Sequence, residues 1–102
     1  MQGVSMQKNV WMIITIDSVA KPSTTEERRD ILSSHGFSEF SPHKSIRLPE
    51  STYIGFVPYS KAGKAKVDEI WEDLKSADLE PKRIFGGTIK DWKVLRSQDD
   101  ED

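Results

Sequence analysis

Cysteine is absent from the 102 residues, which removes disulfides, thiolate metal sites and cysteine nucleophiles together. Histidine occurs only at His35 and His43, with no third ligand at a recognisable spacing, so both read as surface side chains. No apolar run approaches the ~20 residues of a membrane helix. Met1 to Asn9 is polar and lacks the apolar core of a signal peptide. These absences set the expectation of a soluble, cytoplasmic protein with no membrane partner. Glycine-rich phosphate loops, dinucleotide fingerprints and a Ser-His-Asp order are missing too. Gly63-Lys64 has no upstream glycine for a Walker-type loop, and Gly86-Gly87 alone carries no phosphate signal.

What is present is organised around Val10-Trp11-Met12-Ile13-Ile14-Thr15-Ile16-Asp17. A continuous apolar and β-branched run ending in a carboxylate reads as a central strand, buried on both faces, whose last residue emerges at the sheet edge. With Val10, Met12, Ile14 and Ile16 turned to one side, Trp11, Ile13 and Thr15 face the other.

Ser23-x-x-Glu26 and Thr24-x-x-Glu27 are capping-box patterns for a first helix, with two acids in its first turn and a stop at Gly36. Phe37 to Leu48 reads as a second strand broken by Pro42. The Ile46/Leu48 alternation predicts a hairpin over 44–57 with Thr52-Tyr53-Ile54-Gly55-Phe56-Val57. Either set, Tyr53/Val57 or Ile54/Phe56, could be inward there. Gly55 marks a bulge or a close backbone approach. Ser60 to Lys66 leads into a second helix carrying the stripe Val67, Ile70, Trp71, Leu74, Ala77. In Arg83 to Arg96, Gly86-Gly87 either bends one long strand or separates two.

Length suits one domain: a leader at 1–9, the domain at 10–96 and a disordered acidic tail at 97–102. The expected class is α+β. Strand, helix, strand, strand, helix, strand gives a ferredoxin-like βαββαβ sandwich, its antiparallel sheet carrying both helices on one face, with an extra C-terminal strand as an option.

Net charge is −2, but Asp99 to Asp102 are all acidic, leaving fifteen basic and thirteen acidic side chains in the body. Lys61 to Lys66 and Lys82 to Arg96 are locally basic, which permits phosphate contact and equally suits a solvated face. Arg28, Arg29, Lys61, Lys64 and Lys66 are the phosphate-contact candidates. Asp17, with Ser18 beside it, is the catalytic and metal candidate: a strand-end carboxylate can hold Mg²⁺ through one or two oxygens and waters. It can equally cap the following turn. Trp11 and Phe56 are base-stacking candidates if the open sheet face is a platform. The same aromatics would form the core of a homodimer if a second subunit covers that face.

From Met12 to Asp17 the chain resembles the small CRISPR-adaptation nucleases, virulence-associated protein D and the GhoS-type antitoxin ribonucleases, which place an aspartate at the end of the first strand. Gly36-Phe37 is similar to their helix end, Glu50-Ser51-Thr52-Tyr53 to their hairpin, and Thr88 to Leu95 to a fifth strand pairing with the partner subunit. The resemblance implies a small nucleic-acid-processing or toxin–antitoxin protein: a homodimeric, Mg²⁺-dependent endoribonuclease with Asp17 at its centre.

Gly55-Phe56-Val57-Pro58-Tyr59 and Val10-Trp11-Met12 are similar to the two signatures of the RNA-recognition motif. Thr52, Tyr53 and Ile54 stand where that motif has a basic residue, a glycine and an aromatic. This second resemblance implies RNA binding without cleavage. A third role is a non-catalytic antitoxin or inhibitor module that binds a protein partner through the acidic tail or the sheet face.

Overall fold

A computed structural model describes residues 8–18, 22–42 and 46–99. The elements are β1 (Asn9–Ser18), α1 (Pro22–Ser34), β2 (Phe37–Ser38), β3 (Thr52–Pro58), α2 (Lys64–Ser76) and β4 (Pro81–Ile89), with one 3₁₀ turn at Tyr59–Lys61. Together they form a mixed α+β fold whose four strands run in the order β2-β3-β1-β4, every neighbouring pair antiparallel.

β1 is central and paired along both edges, but it is sealed on one face only: Trp11, Ile13 and Thr15 on the other face stay partly accessible, so the expected burial of both faces is not found. Met12, Ile14 and Ile16 are sealed on one face. They pack with Tyr53 and Val57 of β3, Leu32 of α1, Ile70 and Leu74 of α2, and Phe37 and Leu79 in a single core. Each such side chain contributes about 1.5–3 kcal/mol on full burial. Pairing Ile14 with Tyr53 and Met12 with Gly55 settles the phase of β3: Tyr53, Gly55 and Val57 face the helices, while Ile54 and Phe56 face away.

α1 starts at Pro22, so Ser23 and Thr24 are already helical and Glu26 and Glu27 fall beyond the first turn. Proline suits that first position because its missing N–H is one the helix leaves unpaired anyway. The preceding cap position lies outside the described residues. The helix ends as expected at Gly36, whose φ of +88° is open to glycine at little cost.

The hairpin predicted over 44–57 does not form as drawn. β3 pairs instead with Phe37–Ser38, Phe37 opposite Gly55 and Ser38 opposite Ile54. The chain between folds back on itself: Phe40 bridges Arg47, Ser41 N–H donates to the Ile46 carbonyl (2.8 Å) and Leu48 N–H to that of Glu39 (2.7 Å). Pro42 offers no N–H to a continued ladder, and the return it enforces takes Ile46 and Leu48 off the sheet. Positions 44 and 45 lie outside the described residues.

α2 begins after Gly63, placing Lys64 to Lys66 in its first turn rather than in a loop before it. Ile70 and Leu74 of the predicted stripe are buried. β4 runs unbroken through Gly86-Gly87, with its one register shift at Asp17/Ser18 on β1. Residues 91–97 have no regular secondary structure, so the extra C-terminal strand is not found among the described residues. Asn9, assigned to the leader, already belongs to β1, and the tail from position 100 onward lies outside the described residues.

Candidate nucleic-acid interface

The face of the sheet away from the helices is built by the period of two along each strand. On β1 it carries Trp11, Ile13, Thr15 and Asp17. Register sets Phe56, Ile54 and Thr52 of β3 against the first three of these. On the other side β4 sets Ile89, Gly87, Phe85 and Arg83 against all four. Among the described residues no helix covers this face; Ile54 is buried on it and Trp11 partly buried, while Phe56 is 50% accessible and Phe85 73%.

Trp11 and Phe56, opposite each other on adjacent strands, bring their ring centroids to 4.5 Å at an interplanar angle of 39°. Trp92, from the irregular segment after β4, returns to this face and meets Trp11 edge-on at 5.7 Å. Between that segment and the sheet lies a groove of about 1020 Å³ running from Trp92 past Ile13 and Ile54 to Thr15, Asp17 and Arg28.

Arg28 reaches the groove from α1 and is held in place: Nη1 donates to Ser18 Oγ (2.6 Å) and Nε to the Tyr53 hydroxyl (3.0 Å). Tyr53 is buried, so this bond satisfies a hydroxyl that would otherwise be costly to bury. Arg29 instead pairs with Glu39 (Nε–Oε1 3.1 Å), which also lies 3.8 Å from Arg47. Hydrogen bonding to Glu39, and then its charge, raises the Arg29 pKa above its ordinary value. The groove lining holds Arg28, Arg47 and Lys93 against Asp17, Glu39 and Glu50, so its charges balance.

The predicted site residues thus divide. Trp11, Phe56 and Asp17 share one face, and Arg28 reaches the groove beside Asp17 from α1. Lys61 is exposed in the turn that leaves β3 at the Trp11 end of the sheet, where Tyr59 N–H donates to the Lys8 carbonyl (2.7 Å), and Lys64 is exposed at the start of α2. Lys66 lies elsewhere, buried between helices, with its Nζ 2.7 Å from Glu69 Oε1 and 3.4 Å from His35 Nδ1. His35 Nε2 in turn meets Asp73 Oδ2 at 2.7 Å. Pairing with Lys66, by hydrogen bond and then by charge, holds the Glu69 carboxyl below its usual range.

Asp17 sits at the exit of β1, 63% exposed in its side chain, and pairs with Arg83 (Oδ2–Nε 3.3 Å). Among the described residues, no three His, Asp or Glu side chains gather in an arrangement that could hold a metal ion. Asp17 itself offers Mg²⁺ an exposed carboxylate that already has a cation beside it. His43 falls outside the described residues.

Phe85, Arg83 and Trp92 were not among the sequence candidates. The alternation Arg83, Phe85, Gly87, Ile89 is a signal for Phe85 once one residue of β4 is placed opposite β1. Nothing local marks the return of Trp92.

Comparison with family models, with curated proteins and with solved structures finds no match to this chain.

Proposed function

We propose that the open sheet face binds single-stranded nucleic acid, RNA in the first instance, by stacking unpaired bases on Trp11 and Phe56, and that it does so without cleaving the strand. The observation that carries this is the pair of cross-strand rings at 4.5 Å, Phe56 half-exposed and Trp11 partly buried. The element order and the strand order β2-β3-β1-β4 support a ferredoxin-like fold, in which such a pair lies mid-sheet. Stacking contributes about 1–3 kcal/mol per base. Two bases with a few polar contacts correspond to a Kd on the order of tens of micromolar to millimolar. Balanced groove charges leave few phosphates to neutralise, so the salt slope expected for one or two contacts is about −0.7 to −1.4 in log K against log salt.

Asp17 in the same groove favours a second reading, a nuclease. A second protomer would have to bring a further carboxylate to complete a Mg²⁺ site there. A third role leaves the strand out altogether and uses the apolar face for a second copy or a protein partner.

One experiment separates them. Labelled ten-nucleotide RNA and DNA strands are titrated with the protein by fluorescence anisotropy, with and without Mg²⁺, and the strands are then run on a denaturing gel. The binding role expects intact strands and at least tenfold weaker binding by Phe56→Ala, a half-exposed substitution that spares the core. Mg²⁺-dependent shortening that Asp17→Ala abolishes would establish the nuclease instead. No binding, with solution mass rising with concentration, would point to a dimer through this face.

A further inference from the structure

The segment after β4 lies over the candidate platform without joining the sheet. Residues 91–97 form neither strand nor helix, yet Trp92 is half-buried and edge-on to Trp11, and Trp92, Lys93, Val94 and Leu95 form one wall of the groove. Leu95 is nonetheless 79% exposed, so it is Trp92 and Val94 whose side chains turn inward from this wall.

We propose that residues 90–99 are a displaceable cover for the Trp11–Phe56 platform. The Trp92 indole takes the place on Trp11 that a base would take. The proposal rests on the nucleic-acid role argued above and adds its regulation: the free protein is held in a less competent state that a strand must open.

Two features distinguish a cover from a fixed part of the platform. First, the segment has no ladder with β4 or β1 to hold it, so opening breaks few backbone hydrogen bonds. Second, Trp92 and Trp11 meet in a T-shaped contact at 5.7 Å, whereas a base stacks parallel on a ring face, so a base taking the Trp92 position has to replace one arrangement by the other. An occupant that must be displaced lowers the apparent affinity by the fraction of molecules that are open. For one aromatic contact, that fraction corresponds to a factor of roughly three to ten.

The test uses the full-length chain in two forms, wild type and Trp92→Ala. Each is titrated with the same ten-nucleotide RNA, and its folding is checked by thermal unfolding. The cover expects Trp92→Ala to bind roughly three- to tenfold more tightly. Weaker binding by Trp92→Ala would make Trp92 part of the platform and overturn the cover, and unchanged binding would overturn it too. If neither wild type nor Trp92→Ala binds any strand, the nucleic-acid role itself fails and the cover with it.

Trypsin cleavage after Lys93 in the wild type supplies an independent readout. Saturating RNA is expected to speed it, because the segment is released. Protection by RNA would overturn the proposal even if the affinities followed it.

Discussion

Gly86 and Gly87 are neighbours on β4 that face opposite sides of the sheet, and a single methyl group added to each should have opposite effects. A Cβ on Gly86 would come to 3.0 Å from the Ile13 carbonyl oxygen, 3.0 Å from Ile14 Cγ1 and 3.0 Å from Val67 Cγ2. The first of these is backbone of the central strand and cannot give way without moving the β1–β4 ladder. Overpacking of that kind costs about 1–3 kcal/mol. The conformational entropy that alanine removes from the unfolded chain offsets about 0.4–1 kcal/mol of it. The net for Gly86→Ala is a loss of about 1–2 kcal/mol. A Cβ on Gly87 meets nothing within 4 Å, so Gly87→Ala keeps only the entropic gain and should be neutral to slightly stabilising. Urea denaturation of the two variants with the wild type measures the difference, and thermal unfolding should place Gly86→Ala roughly 4–12 °C below the wild type. The reverse order would refute the register of β4, because a slip of one residue exchanges the two faces.

Tyr53→Phe removes the acceptor for Arg28 Nε while keeping the buried ring. It should lower stability by about 1 kcal/mol in urea denaturation and weaken strand binding as Arg28 loses its fixed position. Ile70→Ala empties a fully buried site between α2 and the sheet, with an expected loss of about 2–5 kcal/mol by the same assay. Glu69, held below its usual range by Lys66, stabilises the fold at pH values above the ordinary carboxylate pKa, and that contribution disappears as pH falls through its folded-state value. Glu69→Gln should therefore be less stable than the wild type near neutrality by under ~1 kcal/mol, since the carboxylate is largely exposed, and equal to it in strong acid; paired urea curves at the two pH values check this.

Sequence alone revealed most of what depends on local pattern. The run from Val10 to Ile16 could only be central, the stripe through Ile70 and Leu74 could only be a buried helix face, and Gly36 could end α1. Gly55 was legible as a close approach, and the Gly36 carbonyl oxygen does lie 2.7 Å from where its Cβ would be. What failed depended on partners distant in sequence. Ile46 and Leu48 alternate like a strand, but two residues at Phe37–Ser38 hold the place beside β3, and alternation says nothing about which segment wins an edge. The helix start was misread because Ser23 and Thr24 resemble caps whether or not Pro22 already occupies the first turn. In the candidate site, Trp11 and Phe56 were visible from their strands, whereas their contact depended on register and the approach of Trp92 on an irregular segment with no periodicity to read.

The central place of β1 has a consequence for how the chain comes together. Its partner β4 lies about 70 positions further along, a separation that puts the closing step among slow, non-local events. Until β4 arrives, seven residues from Val10 to Ile16, uncharged, free of proline and rich in β-branched side chains, stand with one edge unpaired. The strand that organises the native molecule is therefore also its most exposed point during synthesis and refolding. Crowded or overexpressed chains should be lost to aggregation through β1 before any surface of the finished fold is involved.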